Sequence, residues 1–216
     1  MLLDQQTTVG PDGVGKPVEL EKQGSFSAGG VVITGTNGDT FHGDAAYVEF
    51  QIPHHARDLP LVMWHGGGQF SKTWESTPDG RDGYQQIFTR RRFSVYIIDQ
   101  PRRGDAGRTT VGTTIPNAVP GEANIFTIFR LGIWTPPPGP TFFPNAQFPR
   151  DQASLDQYDL QQTPNTGPEN IDEPTRVLQS SAVVDLFKKI KGGVLLTHSN
   201  SGQYGWTTTI LAPDLV

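Results

Sequence analysis

Gly193-Val194-Leu195-Leu196-Thr197-His198-Ser199-Asn200-Ser201-Gly202-Gln203 is the stretch on which the reading of this chain turns. Its apolar run reads as a strand, the cluster of small polar residues as a sharp turn, and its final residues as the start of a helix. That is the layout of a nucleophile elbow, in which a serine at a strained strand-to-helix turn projects its hydroxyl from the sheet edge. The usual pattern is G-x-S-x-G. Centred on Ser199, the flanking positions hold Thr197 and Ser201, which meet the steric demand for small residues where strand and helix backbones converge. Centred on Ser201, they would hold Ser199 and Gln203, and Gln203 is too bulky. Ser199 is therefore the candidate nucleophile. The competing reading is a serine that merely caps the helix.

Upstream, Glu173-Pro174 opens a helix over 175–190, with Val177, Leu178, Val183, Val184, Leu186, Phe187 and Ile190 as an apolar stripe, and Lys191-Gly192-Gly193 stops it. Residues 59–64 form a nearly continuous apolar run, as expected of a strand buried on both faces of a parallel sheet. This run leads directly into His65-Gly66-Gly67-Gly68-Gln69. Glycines at a strand end let backbone N–H groups turn together into a cavity, and two such donors aimed at a developing alkoxide make an oxyanion hole. The alternative is a plain glycine loop. A helical pattern through Tyr84, Ile87 and Phe88, within 74–92, separates this strand from a second buried one at 93–99. A strand-helix-strand unit of this kind predicts a parallel pair with a right-handed crossover. Asp99, at the strand end, reads as a residue holding the following loop rather than as a catalytic acid.

Before these elements, 24–34 and 45–52 read as an antiparallel hairpin, because aromatic and β-branched residues alternate with others in the second run. His42, His54 and His55 lie near its turns. They lack metal-ligand spacing, so a histidine-metal hydrolase ranks last and no metal or other cofactor is expected. Residues 1–23 read as a polar, glycine-rich arm. Regular patterning fades over 111–174, which holds Pro136-Pro137-Pro138-Gly139-Pro140 and, over 125–133, a short predicted helix. A long irregular segment rich in aromatic residues suggests a lid over a pocket.

At 216 residues the chain has the length of one domain. Its net charge of −5 and pI near 5.5 argue against nucleic acid or an anionic membrane surface as the main partner. No apolar run approaches the roughly 20 residues needed to cross a bilayer, and Met1-Leu2-Leu3-Asp4 lacks the features of a signal peptide. The absence of cysteine excludes disulfides and a cysteine nucleophile, and leaves the redox compartment open.

Taken together, the chain resembles the α/β-hydrolase fold, and more closely a group of bacterial α/β-hydrolase esterases. The resemblance is carried by Gly24-Ser25-Phe26 and Phe41-His42-Gly43-Asp44; by Met63 to Gln69; by Thr73-Trp74-Glu75 with Thr77-Pro78-Asp79-Gly80-Arg81; by Tyr96 to Gly104; by Gln147-Phe148-Pro149; and by Thr197 to Gly202. It covers the chain from about residue 24 onward. It implies an α/β fold with a mostly parallel sheet flanked by helices, an N-terminal antiparallel hairpin and a cap insertion. The hydrolase core would be 24–110 and 175–216, with 111–174 as the cap. It also implies Ser199 as nucleophile, oxyanion N–H groups from Gly67, Gly68 and Asn200, and His65 and His198 in supporting positions. The partner would be a small-molecule ester or lactone, and a periplasmic or secreted location is compatible with the family.

In this fold the triad runs serine, acid, histidine along the chain. After Ser199 come seventeen residues with one acid, Asp214, and no histidine. The expectation is therefore that the acid, the histidine and the final strands lie outside this chain, in a C-terminal continuation or second polypeptide. The alternative is a non-catalytic hydrolase-like binding module or an inactive fragment.

Overall fold

Every position of β3 (Leu61–Trp64) and β4 (Val95–Asp99) is buried, as continuous apolar runs must be when both faces of a sheet are covered. The two pair in parallel, Leu61 opposite Val95 and Trp64 opposite Ile98. On the far side of β3, β7 (Val194–Thr197) also pairs in parallel. β2 (Thr40–Pro53) lies antiparallel to β4, and β1 (Leu20–Thr34) antiparallel to β2. The sheet order is β1-β2-β4-β3-β7, and β2 alone runs against the other strands of this sheet. The computed structural model describes residues 17–112, 122–136, 138–160 and 169–216.

The twofold alternation of side chains divides the core between the faces. Val62, Trp64, Tyr96 and Ile98 point to one side, where α5 (Glu173–Ile190) lays down Val183, Leu186 and Phe187 and α6 (Ser201–Leu211) contributes Tyr204. Leu61, Met63, Val95 and Ile97 point to the other, against Trp74 of α1 (Lys72–Glu75), Phe88 of α2 (Tyr84–Arg90) and Phe93. Each such side chain contributes about 1.5–3 kcal/mol when fully buried, so the strand ends that carry the candidate site rest on the best-packed part of the molecule.

The mostly parallel, helix-flanked sheet and its lead-in hairpin match the expected fold. Several boundaries do not. β1 already begins at Leu20, so the arm predicted over 1–23 is too long, and residues 1–16 lie outside the described residues. The helical pattern through Tyr84, Ile87 and Phe88 is α2, as expected; a further short helix, α1, precedes it, set off by the Thr77–Arg81 turn, where Ser76 bridges to Asp82. α5 is capped by Asp172, whose side chain accepts from Thr175 N at 2.8 Å, and it ends on Lys191, which takes the left-handed conformation (φ 66°) usually left to glycine.

The 111–174 segment carries more structure than its sequence suggests. α3 (Glu122–Ile128) starts and ends earlier than the helix expected over 125–133, and Gly132–Ile133 form β5, paired with β6 (Thr141–Phe142). Phe126 explains the arrangement: it is buried, with Phe142 at 4.9 Å and Trp134 at 6.0 Å between ring centroids. α4 (Gln152–Leu160) brings Tyr158 edge-on to Phe148 at 5.5 Å. Residues 113–121, Pro137 and 161–168 of this segment lie outside the described residues. Among the described residues no helix is long and apolar enough to cross a membrane.

Candidate functional site

β7 ends at Thr197 and α6 begins at Ser201, so the chain must reverse within three residues. It does so on Ser199, which has φ 55° and an exposed side chain. For a non-glycine residue this left-handed conformation costs about 1–3 kcal/mol and persists only where the surroundings enforce it. Ser201 does much of the enforcing. Fully buried, its hydroxyl lies 3.1 Å from Trp64 O, 3.0 Å from His198 O and 2.9 Å from His198 N. The two serines of the motif thus differ completely in environment. Ser201 is a buried strut, and Ser199 faces outward at the apex.

Thr197 occupies the first glycine position of the usual motif. Its bulk is accommodated one turn into α6, where a Cβ on Gly205 would come within 2.8 Å of Thr197 Cγ2. The missing glycine of the motif reappears as an absent side chain on the opposing helix.

The glycine loop after β3 packs against this turn. A Cβ on Gly66 would lie 3.1 Å from Ser199 Cβ and 3.0 Å from His198 Nδ1, and one on Gly67 would lie 3.4 Å from Asn200 Cβ. Gly68 has φ 68°. Gln69 ties the loop to the elbow: its side-chain oxygen accepts from Gly66 N at 3.1 Å and lies 3.1 Å from His198 Nδ1. His198 also meets the Trp74 ring edge-on at 6.2 Å. Gly66, Gly67, His198, Ser199 and Asn200 are therefore brought together, with Gly68 next to them in the loop. Beside them lies a cavity of about 240 Å³ lined by Gln69, Phe70, Thr73, Thr77, Phe148 and Tyr158, among others.

His65 lies beneath the loop, 1% exposed. Its Nδ1 is 2.8 Å from Gly66 O and must donate to it, which leaves Nε2 to face Gln100 N at 3.4 Å as an acceptor. Burial disfavours the charged ring, and only partial opposition comes from the Gly66 carbonyl and Glu169; the pKa falls to about 4. Folded His65 thus binds its proton more weakly than unfolded His65, so its contribution to stability is present above about pH 6.5 and is lost as pH falls toward 4. We expect this one residue to remove up to about 3 kcal/mol across that window. Denaturant titrations at a series of pH values should show the loss, and His65→Asn should flatten that part of the curve.

Asp99 has the loop-holding role expected of it, its carboxylate accepting from Ser71 N at 2.6 Å and Asp105 N at 2.8 Å. Asp44, buried in β2, forms a two-point pair with Arg102 at 3.0 and 2.9 Å and also takes the hydroxyl of Thr110. Sequence reasoning assigns no role to four residues around the site: Gln69 and Gln100, which lie within its quoted segments, and Glu169 and Tyr204, which do not. Gln100 is legible in principle, as a polar residue immediately after a buried strand. Glu169 carries no local signal at all. Among the described residues no three His, Cys, Asp or Glu side chains converge as a metal site would require.

Comparison with known proteins fits this geometry. No family model matches the chain. A bacterial esterase of known structure aligns over 93% of the chain and 67% of its own length, with a TM-score of 0.74 and 30% identity. The chain belongs to the α/β-hydrolase esterases. A fungal protein named "Probable secreted lipase phiG" is 27% identical over 181 residues, 83% of this chain. The chain spans about half the length of that curated relative. Within the esterase family, then, the described residues account for the lead-in hairpin, the glycine loop and the elbow.

Proposed function

We propose that this protein is a serine esterase that cleaves a carboxylic ester or lactone through an acyl-enzyme, with Ser199 as nucleophile. The observation that carries the reading is the backbone of Ser199: an exposed serine held at φ 55° between a strand and a helix, with a triple-glycine loop packed against it. Strain of this kind in a serine has a use when its hydroxyl must stand clear of the sheet. Ser199 Oγ attacks the ester carbonyl, its proton passes to a histidine, and the alcohol leaves with that proton. Backbone N–H groups of Gly67 or Gly68 and of Asn200 receive the developing oxyanion; one such donor is worth about 10²–10³ in kcat. His65 and His198 support the loop and the turn.

The acid and the histidine are proposed to come from a segment beyond Val216 or from a second chain, packed on the β7 side. Several features support that placement. Among the described residues β7 is an edge strand, with Val194 44% exposed. On α6 beside it, Trp206 is 75% and Ile210 78% exposed, an apolar edge of the sort proteins normally cover. The segment 111–174 is proposed as the cap over the site, its Phe148 and Tyr158 suiting a moderately apolar substrate. The family relative named as secreted favours action outside the cytoplasm.

Reaction of the complete enzyme, including the segment or second chain that supplies the acid and the histidine, with a fluorophosphonate, followed by peptide mapping, tests the reading. The expected result is a single adduct on Ser199. An unlabelled Ser199 in folded protein would favour the non-catalytic binding module.

A further inference from the structure

Glu169 lies where the chain returns from the 111–174 segment to α5, and its side chain is 11% exposed. Its carboxylate accepts four hydrogen bonds from three places: Gln100 Nε2 at 2.8 Å and Arg103 at 2.5 Å from the loop after β4, Asn200 Nδ2 at 2.8 Å from the elbow, and Tyr204 OH at 2.7 Å from α6. Gln100 in turn accepts from Trp64 Nε1 at 2.7 Å, and Tyr204 stacks on Trp64 at 5.3 Å. One carboxylate therefore joins the ends of β3 and β4, the elbow and the first turns of α6.

An ionised carboxylate offers about four acceptor sites and no donor, so it can satisfy all four of these groups at once. An amide cannot, because its NH₂ would face donors. The ion pair with Arg103, itself 2% exposed, adds the charge that such a buried guanidinium requires. The direction of the Glu169 pKa agrees: burial raises it, but the bonds from Tyr204, Arg103 and Gln100 outweigh burial and hold the group ionised.

We infer that Glu169 is a positioning residue for the esterase reaction, its carboxylate fixing Asn200 and the start of α6 relative to the strand end that carries the glycine loop. The inference rests on the reading of Ser199 and Asn200 given above. Glu169 does not act on substrate itself. It sets the spacing between the two walls of the oxyanion site, where a displacement of about 1 Å can cost on the order of 10²-fold in rate. It also makes the exit of the proposed cap part of the same network, so that a change in the cap's return path is felt at the elbow.

The test is steady-state hydrolysis of p-nitrophenyl acetate by the complete enzyme, including the segment or second chain that supplies the acid and the histidine, with kcat expressed per site titrated by fluorophosphonate. For Glu169→Gln we expect kcat to fall about 10- to 100-fold while KM changes less than about threefold. A kcat within threefold of wild type overturns the proposal. Because Glu169→Gln removes the carboxylate with which Arg103 pairs, the double variant Glu169→Gln/Arg103→Met separates charge from position. It should regain most of the lost melting temperature while kcat stays at least tenfold down. Recovery of kcat in the double variant would mean that Glu169 only neutralises Arg103, and the proposal fails. Ser199→Ala, assayed alongside, distinguishes the two levels. If it remains active, the reading of Ser199 and the positioning role fall together. If it is inactive while the double variant recovers kcat, only the role of Glu169 falls.

Discussion

Ser199→Ala should lower ester hydrolysis by the complete enzyme about 10⁴-fold or more while leaving the melting temperature nearly unchanged. The kinetic half follows from covalent catalysis: without the hydroxyl there is no acyl-enzyme, and only binding and oxyanion stabilisation remain. The stability half follows from the backbone. Alanine keeps a Cβ and with it the cost of φ 55°, and the exposed Ser199 side chain contributes little packing. Ser199→Gly tests the same point from the other side. Glycine takes this conformation freely, so the variant should be equally inactive but more stable by about 1 kcal/mol, or roughly 2–4 °C in melting temperature for a chain of this size. Activity assays and calorimetry on the pair would check both halves. A Ser199→Gly protein melting below wild type would show that the turn is not strained in solution.

Asp44→Asn is expected to have the largest effect on stability. The Asp44 side chain is 2% exposed and that of Arg102 10%, and the pair closes with two hydrogen bonds. Asparagine tolerates the positive φ of Asp44 (57°), so the substitution changes the charge while leaving the backbone alone. It leaves a guanidinium largely out of water beside a neutral amide, a situation that costs about 3–5 kcal/mol, against a total of about 5–15 kcal/mol for a typical domain. Urea unfolding at neutral pH should show the deficit. Its pH dependence should identify the cause. Burial pushes the Asp44 carboxyl up, but Arg102 and Thr110 together bring its pKa down to about 2. The carboxylate therefore stabilises the fold above its ordinary range near pH 4 and loses that contribution as pH falls toward 2. Wild type and variant should converge in acid. A gap that persists at pH 2 would assign the loss to packing instead.

Much of the fold is legible because its signals are local. Residues 59–64 and 93–99 announce buried parallel strands by unbroken apolarity, and the triple glycine and the small residues around Ser199 announce backbone that must bend where side chains would collide. The preference for Ser199 over Ser201 rests on the size of Gln203, and what the sequence does not show is that Ser199 is an exposed apex and Ser201 a buried strut. Illegible features are those created by contact between distant segments. Nothing near Glu169 distinguishes it from any other acid in a proline- and asparagine-rich stretch; its character comes from Gln100, Arg103, Asn200 and Tyr204, which are far from it in sequence. The small strands and aromatic cluster of 122–160 are hidden for the same reason, since Phe126 finds its partners only after the chain has turned back. The helix stop at Lys191-Gly192-Gly193 is legible, but that the left-handed conformation starts on the lysine (φ 66°) and continues into Gly192 (φ 96°) is not.

The pairing of Thr197 with Gly205 also bears on how such an elbow can change over evolutionary time. A threonine at the strand position and a side chain at the helix position exclude each other, so the order of substitutions matters. A lineage holding Thr197 cannot enlarge residue 205 until residue 197 has shrunk, whereas one with glycine at 197 is free to do so. The unusual motif is thus one of two interchangeable solutions to the same volume constraint, and the route between them passes through the doubly small intermediate.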